Sequence, residues 1–239
     1  MFLTFDPVYL LFVFLPLLLL TGLAQLFVKR AYSKYSKVRN RQGVTGAEAA
    51  RYILQSAGIH DVRVEQVQGF LSDHYSPREK VLRLSPKNYT QPTIAAVGIA
   101  AHEAGHAIQH AKHYAPLVLR NAAVPVASIG SGFGYLVIFI GLIMSGGGGA
   151  LNALTLIGLL LIASVVVFQL INLPVEFDAS RRALQVLPAA GILSPEETKG
   201  ARTVLGAAAM TYVAATLAAI AQLLYWAWRL GLLGGNSRD

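Results

Sequence analysis

Ala100-Ala-His-Glu-Ala-Gly-His-Ala-Ile-Gln109 is the stretch on which the reading of this chain turns. On a helix, His102 and His106 stand one turn apart on the same face, so two imidazole nitrogens can converge on one zinc ion. Glu103 lies about 100° around the helix from His102. From there it can reach a metal-activated water without taking a coordination position. Two nitrogen ligands, a neighbouring carboxylate base, and room for a third ligand and a water are what a hydrolytic zinc site requires. Upstream, Pro92-Thr-Ile-Ala-Ala-Val-Gly-Ile-Ala-Ala101 is a small-residue helical run that would bury this helix. His102, Glu103 and His106 are then its polar groups.

Working outward, the chain is mostly apolar. Of its 239 residues, 54% are hydrophobic and 13% charged, and the mean hydropathy is +0.51. The charged share is about half that of an average soluble domain, which points to a membrane protein. Four segments, 8–28, 124–144, 150–173 and 204–228, have the length of about 20 apolar residues that crosses a bilayer. The last closes on Tyr225, Trp226 and Trp228, aromatics suited to the membrane interface. The first does not read as a cleavable signal peptide: no basic residue precedes it, and Lys29 and Arg30 follow in place of a small-residue cleavage site.

Between the first and second spans lie 14 Lys and Arg against 6 Asp and Glu, whereas the loop around 146–149 is all glycine. The positive-inside rule then puts segments 29–123 and 174–203 in the cytoplasm and both termini outside. The formal net charge of +8 is concentrated beside the membrane, where basic residues set topology and meet anionic headgroups. There is no basic stripe interleaved with aromatics on a soluble domain, so a nucleic-acid partner is not expected. The chain has no cysteine, which excludes a Cys-ligated metal or a Cys nucleophile.

Outside the spans, Thr45-Gly-Ala-Glu48 has the form of a capping box, and the helix it opens should reach Ser56 and stop at Gly58. Val62-Arg-Val-Glu-Gln-Val-Gln68 alternates as a half-buried strand. Tyr75-Ser-Pro-Arg-Glu79 reads as a turn and Lys80-Val-Leu-Arg-Leu-Ser85 as a second strand, whose edge an extended substrate could join. Gly130, Gly132, Gly134, Gly141 and Gly158 suit close helix–helix approach in the membrane.

A catalytic zinc usually takes three protein ligands and a water. His110 continues the four-residue spacing, but on a straight helix it lies roughly 12 Å along the axis from His102. With zinc–nitrogen bonds of about 2 Å, His110 and His113 belong to a polar helix face or an outer layer around the site. The better source is Asn172-Leu-Pro-Val-Glu-Phe-Asp-Ala-Ser-Arg-Arg182, where the third span ends. Two spans separate it from His106, so it returns to the same side. Glu176 and Asp178 cannot both face one point on a helix. Glu176 is preferred as the third ligand, because Asp178 has Arg181 and Arg182 at i+3 and i+4 to pair with.

Ser72-Asp-His-Tyr-Ser-Pro-Arg78, Ala100 through Gln109 and Asn172-Leu-Pro-Val-Glu-Phe-Asp-Ala-Ser180, in that order, resemble the YugP-type bacterial membrane proteins, the neutral zinc metallopeptidase family 2. The resemblance runs from about Thr45 to the last span and implies peptide hydrolysis. The chain is also distantly similar to HtpX-type membrane proteases, whose third ligand is the Glu of a Glu-x-x-Ala-Asp segment. Glu176 and Ala179 match that segment, but Ser180 stands in place of its Asp. The carboxylate that would orient a zinc-bound His must therefore be Asp178 or another group.

The sequence thus implies one integral membrane metallopeptidase domain over 1–239. It is mainly α-helical, with about four transmembrane helices and a small cytoplasmic α+β unit of zinc-metallopeptidase type containing the HExxH helix. Zn2+ is held by His102, His106 and Glu176, and Glu103 is the catalytic base. Its partners are the lipid bilayer of a bacterial cell membrane and peptide or protein substrates, membrane proteins among them. His74, Tyr75, Tyr114 and Arg120 are oxyanion-stabilising candidates by residue type. Two other classes compete: a divalent-cation transporter or sensor, and a zinc-binding membrane scaffold. No clear acidic or His residue stands in a span core to make a transport path. A purely structural zinc site usually closes with four protein ligands and has no use for Glu103.

Overall fold

Residues 6–145 and 151–233 are described by the computed structural model; the 146–149 loop lies outside them. Asp6 opens the first helical run by accepting a hydrogen bond from the Val8 N–H at 2.9 Å. That run comprises α1 (Pro7–Tyr9), a π-helical turn (Leu10–Phe14) and α2 (Leu15–Tyr35). With α6 (Ala115–Met144), α7 (Ala153–Ala189) and α8 (Pro195–Arg229), it gives, among the described residues, four helices long and apolar enough to cross a membrane. By length and composition this is a multi-pass membrane protein, mainly helical as the sequence implies. At 37 residues, α7 measures about 55 Å, well beyond the roughly 30 Å of a hydrocarbon core. Its apolar stretch ends at Leu173, and charge begins at Glu176.

The chain divides into two compact units. The first holds Leu119–Leu173, the chain up to Leu23 and the chain from Tyr212 onward. Here α6 and α7 approach through glycine. A Cβ on Gly130 would lie 2.3 Å from the Leu161 carbonyl oxygen, and one on Gly158 2.6 Å from Ile138 Cγ1. Gly134 and Gly141 are similarly crowded, but Gly132 has nothing within 4 Å and is not a packing glycine.

The second unit holds Ala24–Val118 and Pro174–Thr211. Its helix α3 (Gly46–Ser56) opens on the expected capping box, with Thr45 and Glu48 each accepting from the other's backbone N–H. The chain leaves it at Gly58 with φ +71°. Three short strands follow: β1 (Arg63–Gln66), β2 (His74–Ser76) and β3 (Val81–Leu84), in the order β1-β3-β2. β1 runs parallel to β3 with Arg63 opposite Val81, and β2 antiparallel with Tyr75 opposite Leu82.

Two expectations are corrected here. Tyr75 and Ser76 belong to a strand, not to a turn. β3 is the central strand, paired on both sides, so it offers no free edge; the edges are β1 and β2. The buried Val81, Leu82 and Leu84 fit that central place. After α4 (Pro86–Thr90), Thr93 caps α5 (Ile94–Ala111) by accepting from the Ala96 N–H. The apolar side of α5 (Val97, Ala100, Ala101, Ala104) enters the unit's core with Ile53 and Leu54 of α3, Leu82 and Leu84 of β3, and Ala183 and Leu187 of α7. The C-terminus of α5 closes with His113 in the left-handed region at φ +49° and the Tyr114 N–H on the Gln109 carbonyl, a Schellman-type closure without glycine.

Candidate metal centre

The polar side of α5 and the part of α7 beyond Leu173 bring three ligand-type side chains together. Donor atoms of His102, His106 and Glu176 all lie within 4.8 Å of one another. The two imidazoles stand edge to face with centroids 4.7 Å apart. Glu176 Oε2 is 3.3 Å from His102 Nε2 and 3.6 Å from His106 Nε2. Among the described residues, that oxygen is the one buried side-chain polar atom without a hydrogen-bond partner. A buried acceptor left unmatched costs free energy, and a cation between it and the two Nε2 atoms would remove that cost. Two His nitrogens and one carboxylate oxygen are a catalytic-zinc donor set, so the residues present fit the metal.

Gly105 sets this spacing. It sits within the motif where α5 meets α7, and a Cβ there would lie 2.8 Å from the Ala179 carbonyl oxygen and 3.2 Å from Ala179 Cα. Ala179 is three residues beyond Glu176, so the backbone contact at Gly105 and Ala179 aims the carboxylate at the two histidines.

Behind each histidine stands a neutral group. His106 Nδ1 is 3.0 Å from Gln109 Oε1. Gln109 is fully buried, and its amide nitrogen donates to the Val175 carbonyl at 2.8 Å and to Asp178 Oδ2 at 2.9 Å. The amide oxygen can only accept, so His106 carries its proton on Nδ1 and turns the Nε2 lone pair toward Glu176. His102 Nδ1 meets the Ser180 hydroxyl at 3.1 Å. Ser180 thus takes up an orienting place behind His102. Asp178 is not in the ligand cluster. It pairs with Arg181 and Arg182 and also anchors Gln109.

The electrostatics follow. Burial pushes the Glu176 carboxyl up, but His102 and His106 hold it far below the ordinary carboxylate range. Burial pushes His106 down, and the Glu176 and Glu103 carboxylates more than reverse this, raising it. Burial likewise pushes Asp178 up, while Gln109, Arg181 and Arg182 bring it below its usual value. The Glu176 and His106 shifts share one cause: the carboxylate and the imidazoles beside it favour each other's charged forms. Glu103 is buried at the edge of this group and has no hydrogen-bond or ion-pair partner among the described residues. A buried carboxylate left free of protein partners has oxygen lone pairs available to a water.

The remaining sequence candidates lie elsewhere. α5 runs unbroken through Ala111, so His110 stays two turns from His102; its Nδ1 meets the Tyr75 hydroxyl at 2.8 Å. His110, His113, Tyr75, Asp61 and Lys80 line a separate cavity of about 220 Å³. His74 bonds the Ser72 carbonyl, and the Tyr114 ring faces the Arg182 guanidinium. Arg120 donates to Asn172 Oδ1 in the other unit. None of these four oxyanion candidates bonds to a member of the cluster among the described residues. Sequence reading missed Gly105, Gln109 and, in its actual role, Ser180. Gln109 carries a signal in sequence: it is an amide three residues after His106, on the adjoining turn of the same helix.

Residues 10–231 match the model of the family described as "Putative neutral zinc metallopeptidase". The chain belongs to that family. It is 45% identical, over 231 residues, to "Putative membrane protease YugP" of Bacillus subtilis (strain 168), an alignment covering 96% of this chain and 99% of that relative. No solved structure matches it. The cluster on α5 and α7 falls within the matched residues, on the motifs through which the sequence resembles this family.

Proposed function

We propose that this chain is a zinc-dependent membrane endopeptidase that hydrolyses peptide bonds with a water activated between His102, His106, Glu176 and Glu103. The observation that carries the reading is Glu176 Oε2, buried, without a hydrogen bond, and 3.3 and 3.6 Å from two imidazole nitrogens. His102, His106 and Glu176 would hold the ion. When bound, zinc supplies Lewis-acid polarisation of the scissile carbonyl and makes a water acidic enough to attack near neutral pH. Glu103 takes the proton that this water sheds as it adds to the carbonyl carbon. It then gives that proton to the amide nitrogen as the C–N bond breaks, so the base is restored within one turnover. Gln109 and Ser180 keep the Nε2 atoms aimed throughout.

An extended peptide can add to the free edge of β2, whose Tyr75 hydroxyl meets α5 at His110. Substrates would be peptides or proteins, membrane proteins included. The excess of Lys and Arg in 29–123 supports a cytoplasmic site in a bacterial cell membrane. A scaffold would leave Glu103 without a role, which favours the enzyme over that alternative.

The test compares wild type and Glu103→Gln in detergent for zinc content and peptide cleavage. The amide is nearly isosteric and cannot take up the proton, so the expected result is stoichiometric zinc with no hydrolysis above background. Cleavage at the wild-type rate would overturn the assignment of the base. Absence of zinc from the wild type in zinc-replete medium would overturn the centre itself.

A further inference from the structure

The basic end of α2 takes no part in the centre described above. Lys29, Arg30, Lys34 and Lys37 are all exposed, and none pairs with a carboxylate among the described residues; Lys34 lies 5.1 Å over the Tyr35 ring. Together with Leu26 and Ser33 they line one open groove of about 570 Å³. Positions 26, 29, 30, 33 and 34 recur at three and four residues, so they share one face of α2, and Lys37 follows in the turn just past its end. The apolar stretch of the first span ends at Val28. At about 1.5 Å per residue the three cations on the helix begin there and extend roughly 9 Å further, into the headgroup layer of a bilayer.

A second observation falls at the same level. Phe70 is 71% exposed, and its ring meets the buried Tyr32 of α2 edge-on at 5.5 Å. Tyr32 lies between Arg30 and Lys34, so Phe70 is fixed at the height of the groove. The loop is shaped to display it. Gly69 has φ +117° and Leu71 φ +51°, and Ser72 Oγ closes the loop on the Gln68 carbonyl at 3.1 Å. A left-handed leucine is strained, yet the loop exposes an aromatic ring instead of burying it. Orientation by positive charge accounts for Lys and Arg on this side. It does not account for a groove of cations without counter-charges, nor for an exposed aromatic beside them.

We propose that this face of α2, with Phe70, is a binding site for the headgroup of an anionic phospholipid. The phosphate lies among Lys29, Arg30, Lys34 and Lys37, the glycerol passes Leu26, and Phe70 inserts at the boundary between headgroups and acyl chains. Continuity of the groove with the apolar span favours a lipid over a soluble anion.

The test is lipid retention by the delipidated full-length protein, read by native mass spectrometry with phosphatidylglycerol or phosphatidylcholine added. The expected result is clear preference for phosphatidylglycerol. Lys29→Gln/Lys34→Gln/Lys37→Gln should lose most of it, at about fivefold per cation removed. Phe70→Ser should weaken retention several-fold while keeping the preference. Arg63→Gln/Arg78→Gln/Lys112→Gln removes equal charge elsewhere and should behave as wild type. Equal loss in that control, or equal retention of both lipids by the wild type, would overturn the proposal. Displacement by millimolar inorganic phosphate would overturn it in favour of a soluble anion, and displacement by an equimolar acidic peptide in favour of a protein segment. Circular dichroism and bound zinc identify any variant that fails to fold; for such a variant Lys→Arg at the same positions should retain the preference, and its loss there would count against the site.

Discussion

Gly105→Ala adds one methyl group at the contact that sets the metal centre, and its effect can be worked from the structure. The new Cβ would sit 2.8 Å from the Ala179 carbonyl oxygen, whereas carbon and oxygen in contact need about 3.3 Å. Both obstructing atoms belong to backbone inside a helix, so no side chain can swing aside. α5 and α7 must separate locally by about half an ångström, against a tolerance of about 0.2 Å in metal–ligand distance. Glu176 is then withdrawn from the two histidines. Two stability effects oppose each other: alanine gains about 1 kcal/mol of helix propensity over glycine, and overpacking costs about 1–3 kcal/mol. The expected result is a small net loss of stability with zinc affinity down on the order of 10–100-fold, the range for disturbing a group that orients a ligand. Chelator competition on the purified variant measures the affinity, and thermal unfolding of the metal-stripped protein measures the stability. Wild-type zinc affinity in Gly105→Ala would refute the argument that this backbone contact fixes the third ligand.

Glu176→Gln should lower zinc occupancy sharply and abolish cleavage, because an amide replaces the one anionic ligand; metal analysis decides it. Asp178→Asn should keep zinc but reduce activity, since it weakens the anchor of Gln109, and complete loss of metal would show that Asp178 is itself a ligand. Gln109→Leu removes the acceptor for His106 Nδ1 and strands buried polar groups, so a fall in zinc affinity of about 10-fold or more is expected from chelator titration. For topology, single cysteines at 37 and 195 should resist a membrane-impermeant thiol reagent in intact cells and one at 147 should react; the opposite pattern would invert the orientation.

What could be seen in the sequence was local or chemically explicit. Thr45 and Glu48 form a capping box because four consecutive residues determine it. The spans were visible because a run of about 20 apolar residues matches the thickness of a bilayer and little else. The candidate cluster was legible because His102 and His106 share a helix face and Glu176 has few acidic rivals near the same side. β2 was hidden because it is only three residues long and runs directly into a Ser76-Pro77 step, whose turn signal is stronger than the strand signal before it. The place of β3 was hidden because β1 joins it in parallel, a pairing fixed by tertiary packing and not by any adjacent turn. A second capping box, Ser194 with Glu197 at the start of α8, was there to be read. The orienting role of Ser180 was not: it depends on His102 standing 3.1 Å away across 78 positions of chain, which no pattern on α7 alone encodes.

Gln109 and Ser180 carry a consequence of their own. A carboxylate behind a metal-bound imidazole raises its basicity and tightens its grip on the ion. An amide and a hydroxyl, being uncharged, do so much less, and Asp178, the carboxylate behind Gln109, is already committed to Arg181 and Arg182. An ion bound by His102, His106 and Glu176 would therefore be held mainly by these three donors, with little added electron supply from behind. Such a centre exchanges its metal more readily than one backed by anions. If the chain is the zinc peptidase proposed above, the fraction of molecules able to work would follow the supply of free zinc, and loading would be a point at which the cell sets its activity.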